Sequence, residues 1–415
     1  MNNPVRVLMS GIGGYGYWYL KTLLEECDPG TFVLVGAVDP RPEGSALFAT
    51  LRQAGVPVHD TLEHFFAAGG SADLVVISSP IHHHVPQAIA ALAHGAHVLC
   101  DKPLGAAVAE ADDLIAARNA SDRWVSIGYQ WSFSPGIRLL KADLLDGRWG
   151  RPLRAATLCL WPRDFAYYAR NEWAGRMRAP DGRPILDSPL NNAMAHFIHN
   201  LLYLLGPESE RSAEPAAVTA DTARAYGIET ADTIGVRVET AHGAGILFLG
   251  SHASAAEHPP VFRIECEKGV ITHDGGLAPI RGTATDGTEI LYPSPEESHQ
   301  FAKLFRALEW AGGDSPGGIG VHGTHAGAGA ESGIEVICPP EAARAQTVVV
   351  ERAAASMPEA VAVPEDRINR AEDGSRLWIA GLDSAFCDCY RSGRLPSELE
   401  AGSGLEWARA GERID

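Results

Sequence analysis

The sequence predicts an α/β fold, a doubly wound parallel sheet, followed by an α+β domain with a mostly antiparallel, open-faced sheet. Three observations predict it. Residues 5–10 (VRVLMS) are a short apolar run that ends in glycines, and residues 17–26 (YWYLKTLLEE) then take up helical spacing, giving strand, Gly turn and helix. Near-continuous apolar strands then alternate with helices, the pattern of a parallel sheet covered on both faces. Beyond about residue 125 the texture changes to β-rich segments punctuated by glycine turns.

In order, the first region places strands at 32–39 (FVLVGAVD), 73–79 (DLVVISS), 96–101 (AHVLCD) and 124–128 (WVSIG), with helices at 84–94 and 109–119. These make residues 1–125 an α/β domain and residues 126–415 a second, α+β domain. In the second region, segments 153–161, 216–226, 232–240, 244–252 and 260–267 read as strands, with turns at His242-Gly243, Lys268-Gly269 and Asp286-Gly287. Helices are expected at 135–146, 190–205, 297–311 and, opening on Pro340, 340–355. The Gly-rich stretch 312–330 reads as a loop.

Composition narrows the function classes. The 415 residues carry a net charge of −18, a field that repels phosphate backbones and anionic lipid, so nucleic-acid and membrane-surface partners are excluded. Seven scattered cysteines without a Cys-x-x-Cys pair fit a reduced, cytoplasmic setting, and no run of about 18 apolar residues marks a membrane span. Of the 34 basic residues 29 are Arg, so the five lysines (Lys21, Lys102, Lys141, Lys268 and Lys303) stand out.

Gly11-Ile12-Gly13-Gly14-Tyr15-Gly16 is G-x-G-x-x-G placed directly between the first strand and the first helix. Its glycines permit the tight turn, the approach of a pyrophosphate and close helix–strand packing, and the helix dipole favours an anion there. Asp39 closes the second strand, where a carboxylate accepts both ribose hydroxyls of NAD and repels a 2′-phosphate. Arg41 keeps NADP open. Lys102, in Val-Leu-Cys-Asp-Lys-Pro-Leu-Gly, stands at the carboxyl end of a parallel strand, the edge where such sheets bind ligands, and Pro103 holds it out of the helical region.

With these motifs the chain resembles the glucose-fructose oxidoreductase, inositol dehydrogenase and MocA-like family (Gfo/Idh/MocA). The Gly-rich loop matches; the family's P-x-x-x-H segment resembles Pro80-Ile81-His82-His83-His84, and its E-K-P motif resembles Asp101-Lys102-Pro103. Its D-x-G-x-H-x-x-D motif resembles Asn192-Ala193-Met194-Ala195-His196-Phe197-Ile198-His199. The resemblance implies a Rossmann nucleotide domain and an NAD(P)-dependent oxidoreductase in which Lys102 and His196 flank the nicotinamide. Ser79, Pro80, His84 and Asp101 are expected on the cofactor side with the glycine loop. Asn192 and His199 depart from the family's acidic residues, so an Asp–His acid–base pair does not carry over.

If 190–205 is helical, Asn192, His196 and His199 share one face at i, i+4 and i+7. His196, with an ordinary value near 6.5, suits the acid–base role, and His199 a secondary one. No carboxylate or Cys stands at a telling spacing from the histidines, so no metal is expected. Residues 151–183 interleave seven arginines with Trp161, Tyr167, Tyr168 and Trp173. Rings for sugar C–H faces and forked donors such as Arg163 point to a substrate-covering segment, a stacked surface or a subunit contact. The leading function is hydride transfer between NAD and a secondary alcohol of a sugar, cyclitol or related polyol. Two alternatives stand beside it: an enzyme that retains NAD and uses transient oxidation for elimination or glycoside cleavage, and a non-catalytic nucleotide-sensing protein. An uncovered sheet face would demand a partner copy, giving a homodimer or homotetramer.

Overall fold

A computed structural model describes residues 3–313, 335–400 and 402–415. It divides the chain into two compact units: residues 1–105, 109–133 and 299–341 form the first, and residues 106–108, 134–298 and 342–415 the second. The first therefore runs past the single boundary near residue 125 and takes back a later stretch of chain. Most of the Gly-rich stretch 312–330 lies outside the described residues.

Strands β1 (Val5–Ser10), β2 (Phe32–Val38), β3 (Val58–His59), β4 (Leu74–Ile77), β5 (His97–Cys100) and β6 (Val125–Ile127) form the first unit's sheet in the order β3-β2-β1-β4-β5-β6. All of its pairings are parallel. Val7, Leu8 and Met9 are fully buried, as expected for a strand covered on both faces. Helices α1 (Tyr15–Glu26), α2 (Phe48–Gln53), α3 (Leu62–Ala67), α4 (His84–Ala93) and α5 (Val108–Asn119) connect the strands. The short α2, α3 and β3 carry too little periodicity to be read from sequence.

In the second unit, α6 (Pro135–Leu145), β7 (Pro152–Leu160), α7 (Phe165–Ala169) and α8 (Ala195–Leu204) precede β8 (Pro215–Arg224), β9 (Thr233–Thr240) and β10 (Gly245–Ser251). β11 (His258–Cys266), β12 (Gly269–His273), β13 (Ile280–Ala284) and β14 (Glu289–Tyr292) follow, and α9 (Ala302–Ala311) belongs to the first unit. α10 (Pro340–Ser356), β15 (Val361–Ala362), β16 (Ile368–Arg370), β17 (Leu377–Ile379) and α11 (Leu382–Ser392) complete the chain. Within the first unit, Ile127 of β6 donates its backbone N–H to Cys338 O, and Ser126 donates its hydroxyl to Ile337 O, which ties the later stretch to the edge of the sheet.

The second sheet has nine strands in the order β14-β13-β12-β11-β7-β10-β9-β8-β15. It is mostly antiparallel, with β7–β10 and β8–β15 parallel. All three Gly turns fall between antiparallel neighbours: β9–β10, β11–β12 and β13–β14. One face carries α8, where Met194 fills the space beside Gly250. The opposite face, expected to be open, is covered along part of its width by the chain itself: Leu158, Leu160, Leu247 and Leu249 pack against Leu377, Ile379, Leu382, Phe386 and Leu395. α11 presents Leu382, Ala385, Phe386 and Cys389 at i, i+3, i+4 and i+7, all at most 2% exposed. Burying Leu382 and Phe386 contributes about 1.5–3 kcal/mol each. Among the described residues, the β11–β14 end leaves this face open, with Arg281, Thr283, Glu289 and Leu291 exposed.

Candidate active site

At the carboxyl edge of the first sheet, Gly11 donates its N–H to Val38 O and turns the chain with φ +84°. A Cβ on Gly11 would meet Ser78 O at 2.6 Å, and one on Gly16 would run into Gly11 O, so both glycines are required by packing. Gly13 and Gly14 are different. A Cβ on Gly14 would meet nothing within 4 Å, and one on Gly13 only Asp39 Oδ2 at 3.9 Å. The loop thus leaves bare backbone in front of the N-terminus of α1, where a pyrophosphate fits. Asp39 Oδ2 accepts from Ile12 N at 3.0 Å and Oδ1 from Arg41 N at 2.9 Å, which fixes the carboxylate and leaves each oxygen a further lone pair for a ribose hydroxyl. Tyr15 begins α1 and stacks on Phe301, with 5.7 Å between ring centroids.

Lys102 is half-buried and follows β5; its bond to Pro103 is cis. Two buried groups hold its loop. Asp101, 6% exposed, accepts from Lys303 Nζ and Tyr19 Oη, both at 2.8 Å, and Lys303 also donates to Gly128 O at 2.9 Å. Burial alone would raise the Asp101 carboxyl, but the charges of Lys303 and Lys102 and the two hydrogen bonds hold it below its ordinary value. His84, 1% exposed, sets Nδ1 2.7 Å from Pro103 O and Nε2 2.8 Å from Ser79 O, bridging the loop after β4 to the loop after β5. Burial lowers its pKa, against the pull of those two carbonyls and Asp101. The Ser79 hydroxyl donates to Gln87 Oε1 at 2.7 Å, and Pro80 leads into the turn before α4. Asp101 and His84, expected among the cofactor contacts, therefore sit beneath the Lys102 loop and position it.

In the second unit, α8 begins at Ala195 and not at 190, so Asn192 does not share a helical face with His196 and His199. The reason is local: Asn191 donates its amide to Ile185 O at 2.9 Å, and Asn192 donates its amide to Asp187 Oδ1 at 2.7 Å. Side chains that bond outside the helix compete with helix start. His196 lies in the first turn and is half-buried; His199 is 1% exposed, stacked on Tyr203, with its pKa lowered to about 3 by burial. At the other end of α8, Lys141 donates to Tyr203 O at 2.6 Å and Gly206 O at 2.7 Å.

The aromatic–arginine segment folds into one layer. Arg170 stands 3.8 Å from the Tyr167 ring and 5.2 Å from the Trp173 ring, and Tyr168 packs on Tyr226. Trp161 meets Phe197 of α8 edge-on at 5.4 Å, so this layer is continuous with the helix that bears His196. Asp187, 3% exposed, anchors it by accepting from Gly175 N at 2.6 Å and from Asn192, with Arg170 3.7 Å away.

Residues 5–129 match the family model described as an oxidoreductase family with an NAD-binding Rossmann fold. This stretch is therefore similar to the NAD-binding domain of the Gfo/Idh/MocA oxidoreductases. The matched domain is an NAD-binding one, in agreement with the loop geometry. Among curated relatives, the chain is 24% identical over 248 residues to a 2,7-anhydro-N-acetylneuraminate hydratase of Mediterraneibacter gnavus, covering 58% of this chain and 62% of that protein. It is 29% identical over 243 residues to inositol 2-dehydrogenase 1 of Saccharopolyspora erythraea, covering 57% and 66%. The chain thus spans less than two thirds of these curated relatives. Among solved structures, the WlbA dehydrogenase of Bordetella pertussis, in complex with NADH and UDP-GlcNAcA, shares the fold at a TM-score of 0.64 and 20% identity, covering 85% of this chain and 97% of that one. The aldose-aldose oxidoreductase of Caulobacter crescentus shares it at 0.63 and 21%, covering 85% and 98%. Among the described residues no helix is long and apolar enough to cross a membrane.

Two residues beyond the family motifs shape these sites: Lys303 and Asp187. Lys303 is one of the five lysines that the composition set apart, while nothing in the sequence singled out Asp187.

Proposed function

We propose that the protein transfers hydride between NAD and a secondary alcohol of a sugar, cyclitol or related polyol. The observation that carries this is the pairing, in one unit, of a bare-backbone dinucleotide loop with a lysine set on a buried clamp at the same sheet edge. Bound NAD supplies the hydride acceptor. Lys102, a cation at neutral pH, donates a hydrogen bond to the reacting hydroxyl oxygen and stabilises the charge that grows there. His196, on α8, takes the hydroxyl proton as base, and His199 has a secondary part. Trp161, Tyr167, Tyr168 and Trp173 offer ring faces to the C–H faces of the substrate, with Arg163 and Asn192 as polar contacts.

The test is a polyol panel followed at the NADH absorbance. Lys102→Met is expected to keep NAD binding and lose 10²–10⁴-fold in kcat, the range typical of a positioned acid–base group; near-normal turnover overturns the assignment. His196→Asn is expected to lose the basic limb of the kcat/KM profile in the histidine range, and His199→Asn to keep it. Asp39 sets the cofactor preference, so titration should give tighter NAD than NADP binding; the reverse transfers the role to Arg41.

A second reading, transient oxidation with retained NAD, is favoured by the similarity to a hydratase. Turnover without net NADH would select it. Self-association as a dimer or tetramer through the second sheet would use the exposed β11–β14 end, because the chain's own C-terminal segment covers the middle of that face. Sedimentation of an Arg281→Glu and Leu291→Lys variant tests this.

A further inference from the structure

β7 and β10 are parallel neighbours, and their carboxyl ends deliver Trp161, Arg163 and His252 to one place. The ladder continues past both strands: Trp161 N donates to Ser251 O at 3.0 Å and Arg163 N to His252 O at 2.9 Å. His252 is 1% exposed, with Nδ1 2.9 Å from Trp161 O. A carbonyl accepts, so Nδ1 carries the hydrogen and Nε2 is a bare acceptor. That Nε2 is buried and meets no donor among the described residues. Burial, with Arg163 and Arg170 nearby, holds the ring neutral, with a pKa near 3. A buried acceptor left open costs free energy unless something donates to it.

Beside it stands an unusual cation. Of the seven arginines in 151–183, five are within ion-pair distance of a carboxylate and Arg178 donates to a carbonyl. Arg163 is half-buried with no carboxylate within 4.0 Å among the described residues, in a chain whose net charge is −18. Its nearest acidic neighbour in sequence, Asp164, is spent on Tyr167 N at 2.8 Å. The guanidinium is held 5.0 Å from the Tyr167 ring and 5.7 Å from the Trp161 ring, and its buried Nε has no acceptor. The Tyr167 ring also meets His252, with 5.3 Å between centroids. A forked cation without an anion and an acceptor without a donor thus share one aromatic wall.

We propose that Arg163 and His252 form a subsite for a carboxylate with a neighbouring hydroxyl, so that the substrate is a polyhydroxy acid of the aldonic or uronic type and not a neutral polyol. This rests on the proposed hydride transfer and names its substrate class. The guanidinium pairs with the carboxylate, His252 Nε2 accepts from the adjacent hydroxyl, and Trp161 and Tyr167 flank the carbon chain. A phosphate dianion fits less well, because it presents no hydroxyl donor to Nε2 at neutral pH and meets one cation only.

The experiment compares kcat/KM with NAD for matched pairs: glucuronate against glucose, gluconate against glucitol and tartrate against threitol, with glucose 6-phosphate as the phosphate arm. At least one acid should exceed its neutral partner by roughly 10–100-fold, mainly through KM, as expected for a charge-assisted pair. Arg163→Met should collapse that ratio to near one, and Arg163→Lys should keep part of it. Neutral substrates equal to or better than their acids in every pair overturn the subsite while leaving hydride transfer standing; preference for the phosphate overturns it in favour of a phosphate site. If nothing is oxidised, the proposed function fails and the subsite is judged by calorimetry of the NAD-loaded protein with glucuronate, gluconate and tartrate: binding that Arg163→Met abolishes supports it, and no binding overturns it. Should Arg163→Met not fold, Arg163→Lys and His252→Phe are read by the same ratio, and an unchanged ratio in both overturns the proposal.

Discussion

The two units each bury one lysine beneath the segment that carries the candidate chemistry, and they satisfy it in different ways. Lys303, 1% exposed, holds Asp101 under the Lys102 loop; Lys141, 2% exposed, holds backbone carbonyls at the end of α8, whose first turn bears His196. In the first unit the partner is a full charge, and the ammonium 2.8 Å away holds the Asp101 carboxyl below its ordinary value. In the second the partners are dipoles, aligned at a helix C-terminus that favours a cation but does not replace the lost water. Burial accordingly draws Lys141 down from 10.5 to about 7, against a small opposing pull from Glu208. A buried ion pair makes a rigid anchor, whereas a buried cation on carbonyls makes one whose charge titrates near neutrality.

The largest expected effect comes from breaking the first arrangement. Lys303→Met leaves Asp101 buried with the Tyr19 hydrogen bond and the Lys102 charge but without its ion-pair partner, and should cost about 3–5 kcal/mol, read as a fall in the denaturant midpoint. Because Asp101 lies below its ordinary value in the fold, the pair's stabilisation is present above about pH 4 and is lost as pH falls through the folded value. Asp101→Asn added to Lys303→Met should recover part of the loss. An equal loss in both variants would show that the lysine's packing, and not the charge pair, is what the fold requires.

Lys141 should behave in the opposite sense. Its folded pKa lies below the unfolded one, so its contribution to stability is present above about 10 and is lost as pH falls through about 7. Between pH 7 and 8.5 the gain is bounded by roughly 1.4 kcal/mol per unit, about 2 kcal/mol in all. Buried thiols such as Cys338, raised to about 12, work against it above about 8.5, so the readout is the difference between wild type and Lys141→Met, in which the thiols cancel. A difference that stays flat from 7 to 8.5 would mean the carbonyls hold Lys141 protonated, and the contrast with Lys303 would disappear.

The same contrast explains what could be read in advance. The dinucleotide loop is six consecutive residues whose chemistry is backbone, so its spacing alone carries the site. The rarity of lysine set all five lysines apart, Lys141 and Lys303 no more than the others, and the partner of Lys303 lies 202 residues away, a distance no local pattern spans. Helix α8 was expected to start earlier because its apolar spacing continues upstream, while the competing Asn192–Asp187 bond leaves no periodic trace. The covering of the second sheet was missed for a similar reason: β15, β16 and β17 are two or three residues long, too short for alternation, and the amphipathic α11 lies far from the strands it covers.

The smallest effect provides the control that separates burial from bonding. Lys268 also donates to a single carbonyl, Gly147 O at 3.0 Å, but does so at the exposed turn between β11 and β12. Water replaces the lysine there at little cost, and the carbonyl it leaves stays solvated. Lys268→Met should therefore change stability by less than about 0.5 kcal/mol, with a pH profile parallel to wild type from 7 to 8.5. If instead it reproduces the Lys141→Met profile, carbonyl bonding and not burial sets the behaviour of both, and the distinction between the two buried lysines has to be drawn from their partners alone. If it is silent while Lys141→Met is not, an Nζ–carbonyl contact by itself does not set the behaviour, and the burial of Lys141 with its several carbonyls does.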